Sequence, residues 1–172
     1  SELTGIYLDR LGNLEEELIK QELEQEILIQ VKQAATSSSD SVEVHQLIPL
    51  LTGTQFEDNL LQQIAYLQEL QIEKDQSLYE VTQSSGRVQN LDYQVRIQKK
   101  LLFESIISME VNLKNRITSL KQKIGEIEGT FSGLPLQELK YSRLKRIFTI
   151  NEKFYTLLLE KKAEYAIAKA GI

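Results

Sequence analysis

The sequence predicts an all-α protein, a long antiparallel coiled-coil hairpin with additional N-terminal helices, and three observations predict it. Gln, Glu, Leu, Ile and Lys dominate, while aromatic residues make up 7 % and Trp is absent. That mixture suits long exposed helices better than a thick globular core. Apolar residues recur at three- and four-residue steps over most of the chain, with no strand-like alternation. The 172 residues include only two prolines, Pro49 and Pro135, so few points force a helix to break. Residues 1–172 are expected to form one helical region, an extended rod that buries narrow seams.

The first predicted helix covers about 3–35. Leu8, Leu11, Leu14, Leu18, Ile27, Leu28 and Val31 mark its apolar side. The run Thr36-Ser37-Ser38-Ser39-Asp40-Ser41 ends it, because these side chains compete for backbone hydrogen bonds. Over Val42–Leu51, Pro49 argues against a regular helix interior. A short helix starting near Pro49 and an irregular connector both fit there. Thr54 and Glu57 have capping-box spacing for the second predicted helix, about 55–82. Its expected seam is Leu60, Ile64, Leu67, Leu78 and Val81, weakened by Gln71 and Lys74.

Ser84-Ser85-Gly86 is the next break, with a serine to cap a new helix and a glycine able to turn left-handed. The third predicted helix, about 88–128, would reach ~60 Å. Ile106, Leu113, Ile117, Leu120, Ile124 and Ile127 form a heptad seam in it. Gly129 is placed to close this helix in the left-handed conformation, and Pro135 to open the fourth, about 136–169. So short a link makes the third and fourth helices antiparallel neighbours. Leu139, Leu144, Ile147, Phe154, Leu158, Tyr165 and Ala168 are expected on the buried side of the fourth.

The net charge of −5 argues against nucleic-acid binding, which calls for a basic stripe. Mixed runs such as Glu15-Glu16-Glu17 with Lys20 read as solvated faces with i,i+4 pairs. The absence of cysteine excludes disulfides, thiolate metal sites and cysteine nucleophiles. No apolar run approaches the ~20 residues that span a bilayer, and no signal peptide is seen. The abrupt helical start at Ser1 leads us to expect a segment of a larger membrane-anchored protein.

Chemistry is sparse. His45 is the only histidine, and its neighbours Ser39, Asp40 and Ser41 lie too close in sequence to define a catalytic pocket. The carboxylate pairs Glu15/Glu22 and Glu160/Glu164 lack the facing histidines of di-metal bundles. Neither a GxxxxGK[ST] nor a GxGxxG loop is present. Tyr66, Tyr155 and Tyr165 read as half-buried packing residues, and Lys99-Lys100 and Lys161-Lys162 as helix surface. No catalytic, cofactor-binding or metal-ligating residue is assigned, no cofactor is expected, and this chain is not expected to be an enzyme.

The last third carries a longer pattern. It runs through Gly133-Leu134-Pro135, Leu139, Leu144-Lys145-Arg146, Asn151-Glu152-Lys153-Phe154-Tyr155, Leu157-Leu158-Leu159 and Glu160-Lys161-Lys162-Ala163-Glu164. Together with the third helix it resembles the Wzz/Wzc-type polysaccharide co-polymerases, in the long-helix form attached to bacterial tyrosine kinases. Ile6-Tyr7-Leu8-Asp9-Arg10-Leu11 and Leu14-Glu15-Glu16-Glu17-Leu18 are similar to the helix leaving that family's membrane-proximal domain. Gly86-Arg87-Val88-Gln89-Asn90-Leu91 resembles the start of its longest helix, with Gly86-Arg87 where a proline is usual.

The resemblance implies the periplasmic portion of an inner-membrane protein that sets exopolysaccharide or capsule chain length and supports export. It implies self-association into rings, partnership with a polymerase and an outer-membrane export channel, and a cytoplasmic kinase domain outside these residues. Two rivals are the helical hairpin of a membrane-fusion adaptor in efflux or type I secretion, and a cytosolic coiled-coil scaffold. Lipoyl-like β segments on both flanks would favour the adaptor. Flanks without a membrane span would favour the scaffold.

Overall fold

The computed structural model describes residues 2–37, 44–130 and 136–171. Among them the chain forms five helices and no strand: α1 Glu2–Ser37, α2 Val44–Leu51, α3 Glu57–Glu80, α4 Gly86–Thr130 and α5 Leu136–Lys169. The protein is all-α, as its composition predicts. The four long helices fall where the apolar periodicity puts them, and the departures lie at their ends and in their facing.

The region around Pro49 is helical, with proline inside α2 rather than at its start. Pro49 has no N–H to return to the carbonyl of His45, a defect costing about 3 kcal/mol in a regular helix. Leu47, Leu50 and Leu51 are all but fully buried. At roughly 1.5–3 kcal/mol for each such side chain, their burial outweighs the defect.

The expected capping box does not form. The buried Thr54 hydroxyl turns back and donates to the Leu51 carbonyl at 2.7 Å, closing α2 instead of opening α3. Glu57 accepts from the Gly53 amide at 2.7 Å. Phe56 precedes α3 without a side-chain cap. Gly53, at φ +77°, makes this reversal possible, since a side chain there would be strained.

Ser85 caps α4 as predicted, its Oγ accepting from the Val88 amide at 3.3 Å. Gly86 and Gly129 do not turn left-handed; both lie within α4, which continues to Thr130. There the Thr130 hydroxyl donates to the Ile127 carbonyl at 2.6 Å. The predicted turn containing Gly133, Leu134 and Pro135 lies outside the described residues, as do most of the Ser/Asp run after Ser37 and the side chain of Leu139.

The chain divides into two compact units. The first comprises Ser1–Glu26 and Glu110–Lys161, and the second Ile27–Met109 and Lys162–Ile172. In the second, α3 and α4 form an antiparallel hairpin. Gln63 Nε2 donates to Ser105 Oγ at 3.0 Å, Lys74 pairs with Asp92, and Arg87 reaches Glu73 and Glu80 near the turn. Its core gathers Ile27, Leu28 and Val31 of α1, the α2 leucines, Phe56, and Leu60, Ile64, Leu67 and Leu70 of α3. Val88, Leu91, Val95, Leu102 and Ile106 of α4 complete it.

Leu70 and Ser77 are buried on α3, whereas the expected Leu78 is half-buried and Val81 is the exposed, extended C-cap. The strict heptad would have placed Gln71 and Lys74 in the seam. Turning the buried line by one position leaves both at its margin, where Lys74 meets Asp92.

In the first unit, Glu128 of α4 pairs with Arg143 near the start of α5 at 3.2 Å. Glu15 and Glu16 of α1 meet Arg146 and Lys153 of α5, and Glu22 meets Lys121 of α4 at 2.9 Å. These partners advance together along α1 and α5 and in reverse along α4. The segments therefore run up, down and up. Leu11, Leu113, Ile117, Ile124 and Phe154 are buried, while Leu120 and Ile127 of the expected seam are half-buried.

Along α4 the buried positions repeat differently from the heptad expected of them. Leu91, Leu102, Leu113 and Ile124 recur every eleven residues, and so do Val95, Ile106 and Ile117. Eleven residues in three turns is slightly more than the helix's own 3.6 per turn, whereas heptads fall slightly short of it.

Candidate functional site

Glu15, Gln21 and Glu24 are buried polar residues of α1 in the first unit, and Glu15 has its partner on α5. Read from sequence as a solvated acid, Glu15 is 4 % exposed instead. Its carboxylate accepts from Arg146 Nε at 2.9 Å and Nη2 at 3.4 Å, and Arg146 Nη1 donates to Ser142 Oγ at 2.8 Å. A buried carboxylate needs such a two-point partner, because an unpaired charge there is costly. Gly12 lies one turn before Glu15, and a Cβ on it would stand 3.5 Å from Arg146 Cδ, so the guanidinium stem passes close to the α1 backbone. The sequence held no local sign of this site, since its two halves lie on different helices.

Glu22, the other member of the candidate carboxylate pair, is held separately by Lys121. Glu160 and Glu164 are both exposed. No group of three metal-capable side chains occurs among the described residues. Ser39, Asp40, Ser41 and the side chain of His45 lie outside them. Lys161, expected on the surface, is 8 % exposed. No helix among the described residues is long and apolar enough to cross a membrane.

A groove of about 470 Å³ opens between α1 and α5 of this unit. Ile19 and Leu23 line it from α1, and Phe148, Phe154, Tyr155 and Leu158 from α5, with Glu22, Asn151 and Glu152 as its polar groups. That volume falls within the range of small-ligand clefts, and few polar groups on apolar walls is their usual make-up.

The facing of α5 differs from expectation here. Leu144 and Tyr155, assigned to packing, are 67 % and 64 % exposed, and Tyr66 on α3 is exposed too. Ile147, Ile150, Phe154 and Leu158 carry the inward face of α5. At ~100° per residue, Leu144 and Tyr155 stand roughly a quarter turn or more from its centre. Tyr141, Phe148 and Leu159 point farther round and are also exposed. Tyr165 is half-buried, as predicted.

No protein-family model, characterised protein or solved structure matches this chain. The class of protein defined by the structure is therefore an all-α helical protein with an ion-paired interior site and an apolar groove.

Proposed function

We infer that this chain is the periplasmic helical module of an inner-membrane polysaccharide co-polymerase of the tyrosine-kinase-bearing kind. In this role it governs the chain length and export of exopolysaccharide or capsule. The observation that carries the proposal is the residue pattern of α5. Leu144-Lys145-Arg146, Asn151-Glu152-Lys153-Phe154-Tyr155, Leu157-Leu158-Leu159 and Glu160-Lys161-Lys162-Ala163-Glu164 succeed one another on a single helix, and the run resembles that of the family. The helix follows an antiparallel partner, α4, which supports the same assignment.

On this proposal the chain does no chemistry of its own. The kinase and the membrane spans belong to segments outside these residues, and the helices act by spacing and by contact. On this proposal the helices pack as a coiled coil, a reading that the eleven-residue recurrence of buried positions on α4 supports. Self-association between copies and contact with polymerase and export channel follow from the family role.

Deleting the region coding for these helices in the source bacterium, in frame, tests the proposal. Surface polysaccharide should persist in altered amount and shift in length distribution on a gel. An unchanged distribution, with the remaining protein still produced, would overturn it.

A further inference from the structure

Tyr141, Phe148 and Tyr155 follow one another at seven-residue steps on α5, and their exposures of 70 %, 64 % and 64 % leave all three rings open to solvent. Seven residues turn a helix to within ~20° of the same direction and advance it ~10.5 Å, so the rings form a ladder along one face. Leu144 and Leu159 lie beside it, also exposed. We propose that this ladder, with the groove at its Phe148–Tyr155 end, binds an extended polysaccharide carrying acidic sugars. The inference rests on the proposed function and adds to it the ligand and the surface that holds it.

Three features select that occupant. The ladder's step is close to the length of two sugar residues in an extended, equatorially linked glycan, so every second sugar can lay its C–H face on a ring. Exposed aromatic rings about two helical turns apart suit a ligand that alternates apolar faces with hydroxyl edges. Asn151 and Glu152, at the groove between Phe148 and Tyr155, supply the hydrogen-bonding groups such edges need.

Charge decides for an acidic glycan. Lys140 and Lys145 are exposed on either side of the Tyr141–Phe148 step, and neither has an ion-pair partner among the described residues. Arg143, Arg146 and Lys153 on the same helix are each held by a glutamate. Lys140 and Lys145, unpaired among the described residues, put the place for a sugar carboxylate at the Tyr141–Phe148 step, whereas Glu152 at the groove end calls for a neutral sugar there, as in a glycan that alternates the two.

The test is titration of the full 172-residue chain with two oligosaccharides, followed by the amide NMR signals of α5. One is a hyaluronan oligosaccharide, in which a uronate alternates with a neutral sugar. The other is a chitin oligosaccharide, extended in the same way but uncharged. Hyaluronan fragments should bind saturably and more tightly. Phe148→Ala and Tyr155→Ala should each weaken binding at least about fivefold, and Phe148→Tyr should retain it. Lys145→Glu should weaken hyaluronan binding and leave chitin binding within about twofold.

All four substitutions are at exposed positions, so circular dichroism should show unchanged helicity. No shift with either probe would overturn the inference, and so would ladder variants that bind like the parent chain. Variants that alter sedimentation of the chain but not glycan binding would show instead that the ladder covers a second copy. The deletion experiment reads separately. Altered polysaccharide lengths without ladder binding would sink this inference alone, whereas ladder binding with unaltered lengths would sink only the proposed function.

Discussion

Removing the Arg146 guanidinium would leave the Glu15 carboxylate buried without a cation. Breaking a buried pair from one side costs about 3–5 kcal/mol, because the remaining charge is neither solvated nor paired. Arg146→Ala should therefore lower the melting temperature sharply. Replacing both partners, as Glu15→Leu with Arg146→Leu, removes the stranded charge and should recover most of that loss. Thermal melts followed by circular dichroism check the cycle. A double variant as unstable as the single would show that the site acts through packing alone. Neither residue announces this in sequence. Glu15 stands in a run of three glutamates whose other members are solvated or half-buried, and only its tertiary partner sets it apart.

The helices themselves were legible, because a period near 3.6 survives in the apolar residues whatever they pack against. Their ends were less so. Thr54 satisfies the pattern of a cap for α3 and spends its hydroxyl on α2, a choice made by the Gly53 turn rather than by spacing. The facing of α4 was legible only from Ile106 onward. Over a few turns heptads and eleven-residue repeats share the same steps of three and four. They separate only when Leu91 and Leu102 are seen buried with Leu113 and Ile124. The observed facing predicts a contrast within one stretch of helix. Leu113→Ala should cost about 2–5 kcal/mol, since it empties a site that is 1 % exposed. Val111→Ala, two residues away and exposed, should stay within about 0.5 kcal/mol. Urea unfolding at constant slope would measure both, and equal losses would refute the assigned face.

For the molecule as a whole, stability rests on apolar seams, with the described ion pairs mostly at the surface. Glu22–Lys121, Glu128–Arg143 and Lys74–Asp92 all keep at least one partner half in water or more. Such pairs contribute up to about 1 kcal/mol each and often nothing measurable, and salt screens them. Raising sodium chloride from about 0.05 to about 1 M should therefore shift the overall unfolding free energy by a few tenths of a kcal/mol per pair, about 2 kcal/mol at most in all, read from denaturant midpoints. A larger loss would mean that surface charge holds the helices together. Composition made this balance legible, since its mixed charges and apolar period were plain, whereas the pairing of distant helices was not. The buried Glu15–Arg146 pair also sets a timetable. Its partners lie 131 residues apart, and at translation rates of about 5–20 residues per second the arginine follows the glutamate by roughly 7–26 s. During that interval the nascent α1 carries an acid whose interior place does not yet exist. The α3–α4 hairpin, with its link at Val81–Ser85, can close as it emerges, so the chain's beginning is among the last parts to settle.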